Sequence, residues 1–145
     1  MSSASLGKWI SLLYRYGQIY IYKELEPYNI GKGQFLFLVT LYKKEGLSQD
    51  ELAQTLNIDK GTTARAVEKL EKSGYLYRKP KKMNLRTNEI YLTQKAKDFE
   101  PQLYSILKRW TDILSTGMAE SEIEKAFCIL AKMTENATDY ITKYR

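Results

Sequence analysis

Two helix-start signals eleven residues apart in the middle of the chain leave room between them for little besides one short helix and a tight turn. Ser48 and Glu51 have the Ser-x-x-Glu spacing of a capping box, in which each side chain satisfies a backbone amide beside the other. Leu47 and Leu52 flank the box where a hydrophobic staple requires apolar residues. Leu52, Ala53, Leu56 and Ile58 then give one apolar face to a helix of about nine residues. Asp59 is the next N-cap, so barely three residues separate two helices. Two capped helices joined this tightly form a helix-turn-helix.

On the second helix, at about 100° per residue, Ala64, Val67, Leu70 and Thr63 point to the core. Gly61, Thr62, Arg65 and Lys69 point outward, with Ala66 at the margin. Small residues at the outward N-terminal end permit close approach to a phosphate or a base edge. Arg65 adds the bidentate donor suited to guanine. The set assigned to DNA on this helix is Lys60, Gly61, Thr62, Thr63, Arg65 and Lys69. Gly74 stops the helix as a C′ glycine does. Leu76 to Pro80 and Thr87 to Leu92 alternate as two strands, with Pro80 and Asn84 marking the hairpin end.

That hairpin is basic: Arg78, Lys79, Lys81, Lys82 and Arg86 fall between residues 78 and 86 without an acid. From Asp59 to Lys97 there are eleven basic residues against four acidic ones, whereas the remainder has twelve against thirteen. The net charge of +6 is therefore concentrated in one segment, the footprint of a polyanion binder. A charge run is also how a strand edge is protected from pairing; the adjacent open helix face favours nucleic acid.

Both chain ends read as oily helices. Leu6, Trp9, Ile10, Leu13, Tyr14, Gly17, Tyr20, Ile21 and Leu25 recur at helical spacing, and Tyr16, Ile19 and Tyr22 widen the stripe to nearly the full circumference. Pro27 ends that helix. A helix over Gln34–Lys44 follows, with Phe35, Leu36, Leu38, Val39, Leu41 and Tyr42 inward and Gly46 as its stop. After Thr93 as N-cap, a helix to about Ser115 carries Phe99, Leu103, Ile106, Trp110 and Ile113 at coiled-coil seam spacing. Pro101 is expected to kink it or delay its regular start. Beyond Gly117, a second capping box at Ser121 and Glu124 leads into a last apolar helix. So much apolar surface on so short a chain predicts intertwining with a second copy. Trp9, Tyr16, Tyr20 and Tyr22 are equally readable as packed aromatics and as the lining of a small-molecule pocket.

With one cysteine and no histidine, internal disulfides, imidazole catalysis and a zinc site are excluded. Cys128, on an apolar stretch, reads as a small core residue. No paired carboxylates, phosphate loop or nucleophile constellation appears, so the chain is not expected to be an enzyme or to need a cofactor or metal. No apolar run approaches the ~20 residues of a membrane span, and the N-terminus lacks signal-peptide order, which predicts a cytoplasmic protein without membrane contact.

The order of these elements resembles the MarR (multiple antibiotic resistance regulator) family over nearly the whole chain. The specific part runs from Leu47 to Ala96: LSQDELAQTLNIDKGTTARAVEKLEKSGYLYR, then Arg86, then the strand ending YLTQKA. The resemblance implies a homodimer whose recognition helices enter successive major grooves of a near-palindromic DNA site, with the wing tips in the minor groove. On that basis Thr62 and Arg65 match recognition-helix contacts and Arg86 matches the wing arginine. It further implies a repressor whose DNA affinity falls when a small lipophilic or phenolic compound binds. Three departures stand out: Asn84 replaces a usual Asp, Ala64 a frequent Thr, and Ala96 a usual Gly.

The expected architecture is mainly α with a small β-hairpin wing. Residues 1–33 and 93–145 form the helical dimerisation region, built from both chain ends, and 34–92 the winged helix-turn-helix. The expected function is sequence-specific transcriptional regulation; the competing reading is an architectural or protein-interaction module without an operator.

Overall fold

The structure, a computed structural model, describes residues 4–81 and 83–143, without the side chains of residues 84–86. Six α-helices and one antiparallel hairpin are assigned among them. The chain divides into two compact units, Met1–Trp110 and Thr111–Arg145.

In the first unit, α1 (Leu6–Leu25) starts at Ser5, whose hydroxyl accepts from the Lys8 amide. Pro27 sits in a 3-10 turn, Glu26–Tyr28, that redirects the chain. α2 (Phe35–Lys43) then buries Phe37, Leu38 and Leu41. Leu38 and Leu41 are buried as expected, and Phe35, Val39 and Tyr42 pack against the same core; the differences are Leu36, 39% exposed, and Phe37, 1% exposed and absent from the expected inward set. The fully buried positions are 34, 37, 38 and 41, the centre of a wider inward face that begins with the buried Gln34.

α3 (Gln49–Leu56) has both halves of the expected capping box, Glu51 N to Ser48 Oγ and Ser48 N to Glu51 Oε1, each 3.1 Å. α4 (Lys60–Lys72) is capped by Asp59 and ends in a complete Schellman motif. The Tyr75 amide bonds Leu70 O at 2.9 Å and the Gly74 amide bonds Glu71 O at 3.0 Å. Gly74 makes this possible at φ +84, where a side chain is strained.

β1 (Leu76–Lys81) and β2 (Asn84–Leu92) pair from Leu76↔Leu92 to Pro80↔Asn88, with the register slipping between Pro80 and Lys81. Both strands extend further toward the tip than the alternation indicated. A third segment also joins them: Gly46 donates to Ile90 O (2.8 Å) and Ile90 to Leu47 O (2.9 Å). Gly46 therefore does more than stop α2. At φ +84, a Cβ there would stand 3.2 Å from Glu89 Oε2 and 3.3 Å from the Tyr91 hydroxyl.

Thr93 caps α5 (Gln94–Leu114), accepting from the Ala96 amide at 3.2 Å. The helix begins at Gln94 and runs through Pro101, so of the two expected effects of that proline the delayed start does not occur. Phe99, Leu103 and Ile106, spaced like a seam, pack inside this chain with Leu25, Ile30, Phe37, Val67, Leu70 and Tyr75. Trp110 stacks on Tyr20, ring centres 5.1 Å apart, and covers Gly17. One core thus takes residues from α1 through α5, so packing continues across the borders drawn at residues 33 and 92.

In the second unit, α6 (Glu120–Lys143) follows Gly117. Its start is not the expected box at Ser121 and Glu124. Ala119 takes the cap position, its amide donating to Glu122 Oε1 at 2.8 Å. α6 has no buried residue; Phe127, Ile129, Leu130, Tyr140 and Ile141 are exposed. Cys128 is exposed too, which corrects its reading as a core residue. No helix of the described residues is long and apolar enough to cross a membrane.

Candidate nucleic-acid interface

The outward face of α4 is built from its N-cap upward. Asp59 Oδ2 accepts the Thr62 amide at 2.9 Å and Oδ1 accepts the Thr62 hydroxyl at 2.6 Å. These bonds, the hydroxyl's first, hold the Asp59 carboxyl below its usual range, and the nearby Arg65 charge adds to the effect. Arg65 is exposed and donates from Nη2 to the Thr62 hydroxyl at 3.2 Å. Gly61 is exposed beside them. Lys60 is likewise open, 3.8 Å from Asp50 with both side chains mostly in water, a pairing that contributes little.

Thr63 departs from the sequence assignment to DNA. It is 1% exposed and spends its hydroxyl on Asp59 O at 2.9 Å, so it is a core residue whose polar atom is satisfied within the helix. Ala66 is buried as well, while Ala64 is only half-buried, which rotates the helix slightly from the sequence reading. Lys69 is exposed, one helical turn beyond Arg65.

The wing cations have unequal freedom. Arg78 Nε donates to Glu71 Oε1 at 2.8 Å, both side chains being 30% exposed, and so ties β1 to the end of α4. The hairpin's other face carries Lys79, 5.7 Å above the Tyr77 ring and 5.2 Å above the Tyr91 ring. Cation–π contact holds its ammonium near the base of the wing. Lys81 is exposed at the register slip. Lys82 lies outside the described residues, as do the side chains of Asn84 and Arg86; the backbone of both belongs to β2.

Sequence reasoning missed Lys95. Its ammonium donates to Ser73 O at 2.6 Å and lies 4.5 Å above the Tyr75 ring, placing positive charge on the C-terminal carbonyls of α4. The only signal was a lysine two residues after a helix cap, which is too common to act on.

The four aromatics proposed as pocket lining have different surroundings. Trp9 is 60% and Tyr16 56% exposed, and Tyr20 is stacked on Trp110 with its hydroxyl buried and unpartnered. Tyr22 borders two grooves. One, of about 360 Å³, also meets Glu26, Gln34, Lys69 and Lys72. The other, of about 770 Å³, runs along α1 past Tyr14, Gln18 and Ile19.

This geometry has counterparts in known proteins. The MarR family model matches residues 30–87, which hold the helix-turn-helix and most of the hairpin. The HTH-type transcriptional regulator BilQ of Clostridium symbiosum is 32% identical over 110 residues, 76% of each protein. A MarR transcriptional regulator from Methanosarcina mazei superposes with a TM-score of 0.90 at 44% identity, covering 93% of this chain and 97% of that one. A MarR family transcriptional regulator of Listeria monocytogenes, solved with a 26mer DNA, gives 0.87 at 28% identity over 97% of this chain and 95% of that one.

Proposed function

The chain belongs to the MarR family of winged helix-turn-helix, DNA-binding transcriptional regulators, and we propose that it acts in the cytoplasm as a homodimeric repressor of a near-palindromic operator. The observation that carries this reading is the exposed α4 face, where Thr62 and Arg65 stand clear of the core beside a cationic hairpin. Lys60, Gly61, Thr62, Arg65 and Lys69 meet the major groove. Lys81, Lys82 and Arg86 serve the wing, and Arg78 and Lys79 support it. Phosphate neutralisation supplies most of the affinity, and Arg65 supplies base discrimination.

A second copy is supported by apolar surface that one chain leaves open. Leu6, Trp9, Leu13, Tyr14, Tyr16 and Ile19 on α1 are each at least 47% exposed, and the 24-residue α6 buries nothing. Apolar stripes of this extent mark an interaction surface. In a symmetric dimer, two recognition helices about one DNA turn apart, ~34 Å, read the two half-sites.

Regulation by a lipophilic or phenolic compound is supported by the groove of about 360 Å³ that Tyr22 shares with Lys69 and Lys72, since an occupant there touches the recognition helix. Selection of bound sequences from a pool of random duplexes tests the reading. A regulator enriches an inverted repeat; an architectural module enriches no motif, and that outcome would replace the operator reading.

A further inference from the structure

Asp59, Thr62 and Arg65, three residues apart and on one helix face, form a hydrogen-bonded chain whose direction is fixed by chemistry. A carboxylate only accepts, so Asp59 takes both the amide proton and the hydroxyl proton of Thr62. Having given away its one proton, the Thr62 oxygen is left as an acceptor, and Arg65 Nη2 donates to it. Gly61 keeps the space open: a Cβ there would stand 3.3 Å from Asp59 Oδ2 and 3.4 Å from Arg65 Nη1.

Among the described residues Arg65 has no ion pair. One of its five N–H groups is used on Thr62, and the rest of the guanidinium fork stays available. A long side chain normally loses rotamer freedom when it docks on a base. Here part of that ordering is already present in the free protein.

We infer that Asp59 and Thr62 are positioning residues for the Arg65 guanidinium, holding it aimed along α4 so that sequence discrimination depends on them. This rests on the reading of Arg65 as a base contact. Asp59 has a second effect through its charge, because a carboxylate at the helix N-terminus repels phosphate there. Thr62 is therefore the cleaner probe: Thr62→Val removes the hydroxyl with little change of shape or charge, and Thr62→Ser restores it.

The experiment measures dissociation constants for the selected operator and a random duplex at one salt concentration. The proteins are the wild type, Thr62→Val, Thr62→Ser, Arg65→Ala and the Thr62→Val/Arg65→Ala pair, each checked for folding by circular dichroism. Thr62→Val is expected to lower the specific-to-random ratio about three- to tenfold, the worth of one hydrogen bond, with Thr62→Ser near wild type. In the Arg65→Ala background the valine should change the ratio less than about twofold, because its route to the base is gone. An unchanged ratio for Thr62→Val beside a reduced one for Arg65→Ala overturns the positioning role and leaves base reading intact. Fully additive losses overturn it by showing that the Thr62 hydroxyl acts on DNA independently of Arg65. An unchanged ratio for Arg65→Ala removes the underlying reading itself.

Discussion

Replacing Arg78 by Met tests whether a wing cation can be structural while its neighbours bind phosphate. The Arg78–Glu71 pair is a single 2.8 Å charge-assisted bond with both partners 30% exposed. Its loss is expected to lower stability by about 1 kcal/mol, the lower end for hydrogen bonds to charged groups after allowing for solvent screening. If Arg78 makes no phosphate contact, the slope of log K against log salt stays unchanged. Lys81→Met, by contrast, should lower that slope by about 0.9 per protomer. Between about 50 and 200 mM salt, a fourfold change, one such contact alters affinity about 3.5-fold per protomer, or roughly 12-fold per dimer. Fluorescence anisotropy across that salt range reads the slope, and urea denaturation reads the stability. A lowered slope for Arg78→Met with an unmoved urea midpoint would refute the assignment and return Arg78 to the phosphate-binding set.

Gly74→Ala meets no close contact, the nearest atoms being Lys95 Cδ and Nζ at 3.7 and 3.8 Å, so its cost is backbone strain alone, about 1–2 kcal/mol, seen as a lower urea midpoint. Thr63→Val keeps the buried shape but loses the bond to Asp59 O; it should cost about 1 kcal/mol of stability and leave the specific-to-random DNA ratio at its wild-type value. Hydrogen bonds from the Ser48 amide to Glu51, and from Thr62 to Asp59, depress both carboxyls in the folded chain. Their contribution is thus complete above the ordinary carboxylate range, about 3.9–4.3, and is lost as pH falls through the lower folded values. A urea midpoint that declines from about pH 5 to pH 3, less steeply in Asp59→Asn/Glu51→Gln, is the expected result.

The elements legible in the sequence are those whose cause is local. Ser48, Asp59, Thr93 and Gly74 act on amides or carbonyls within a few residues, so spacing alone exposes them. On α2 only the choice between Leu36 and Phe37 fails, because FLFLVTLY is apolar at almost every position and leaves no contrast to show that Phe37 faces inward. Alternating acids at 120, 122 and 124 made the start of α6 ambiguous by two residues. Helical periodicity turns Thr63 toward the core, as the structure does, and its place in the DNA set fails because a threonine hydroxyl can be satisfied on the preceding helical turn and be buried with it. The roles of Arg78, Lys95 and Gly46 depend on partners brought close only by folding, and no periodicity announces them. Cys128 was placed in a core because its stretch is apolar, yet a single chain leaves that stretch uncovered.

Thr93 closes a knot at the root of the hairpin. Its hydroxyl donates to Gly74 O at 2.6 Å and its amide to Tyr75 O at 3.0 Å, while Lys95 holds Ser73 O. The chain thus leaves the recognition helix and re-enters α5 at one fastened point, with residues 76–92 as an excursion between. Insertions or deletions at the tip of that excursion can change how far the arm reaches and what it carries, while the two helices keep their relative setting. Mechanically, the hairpin is a replaceable part: its length and chemistry can change without disturbing the fastening that joins α4 to α5.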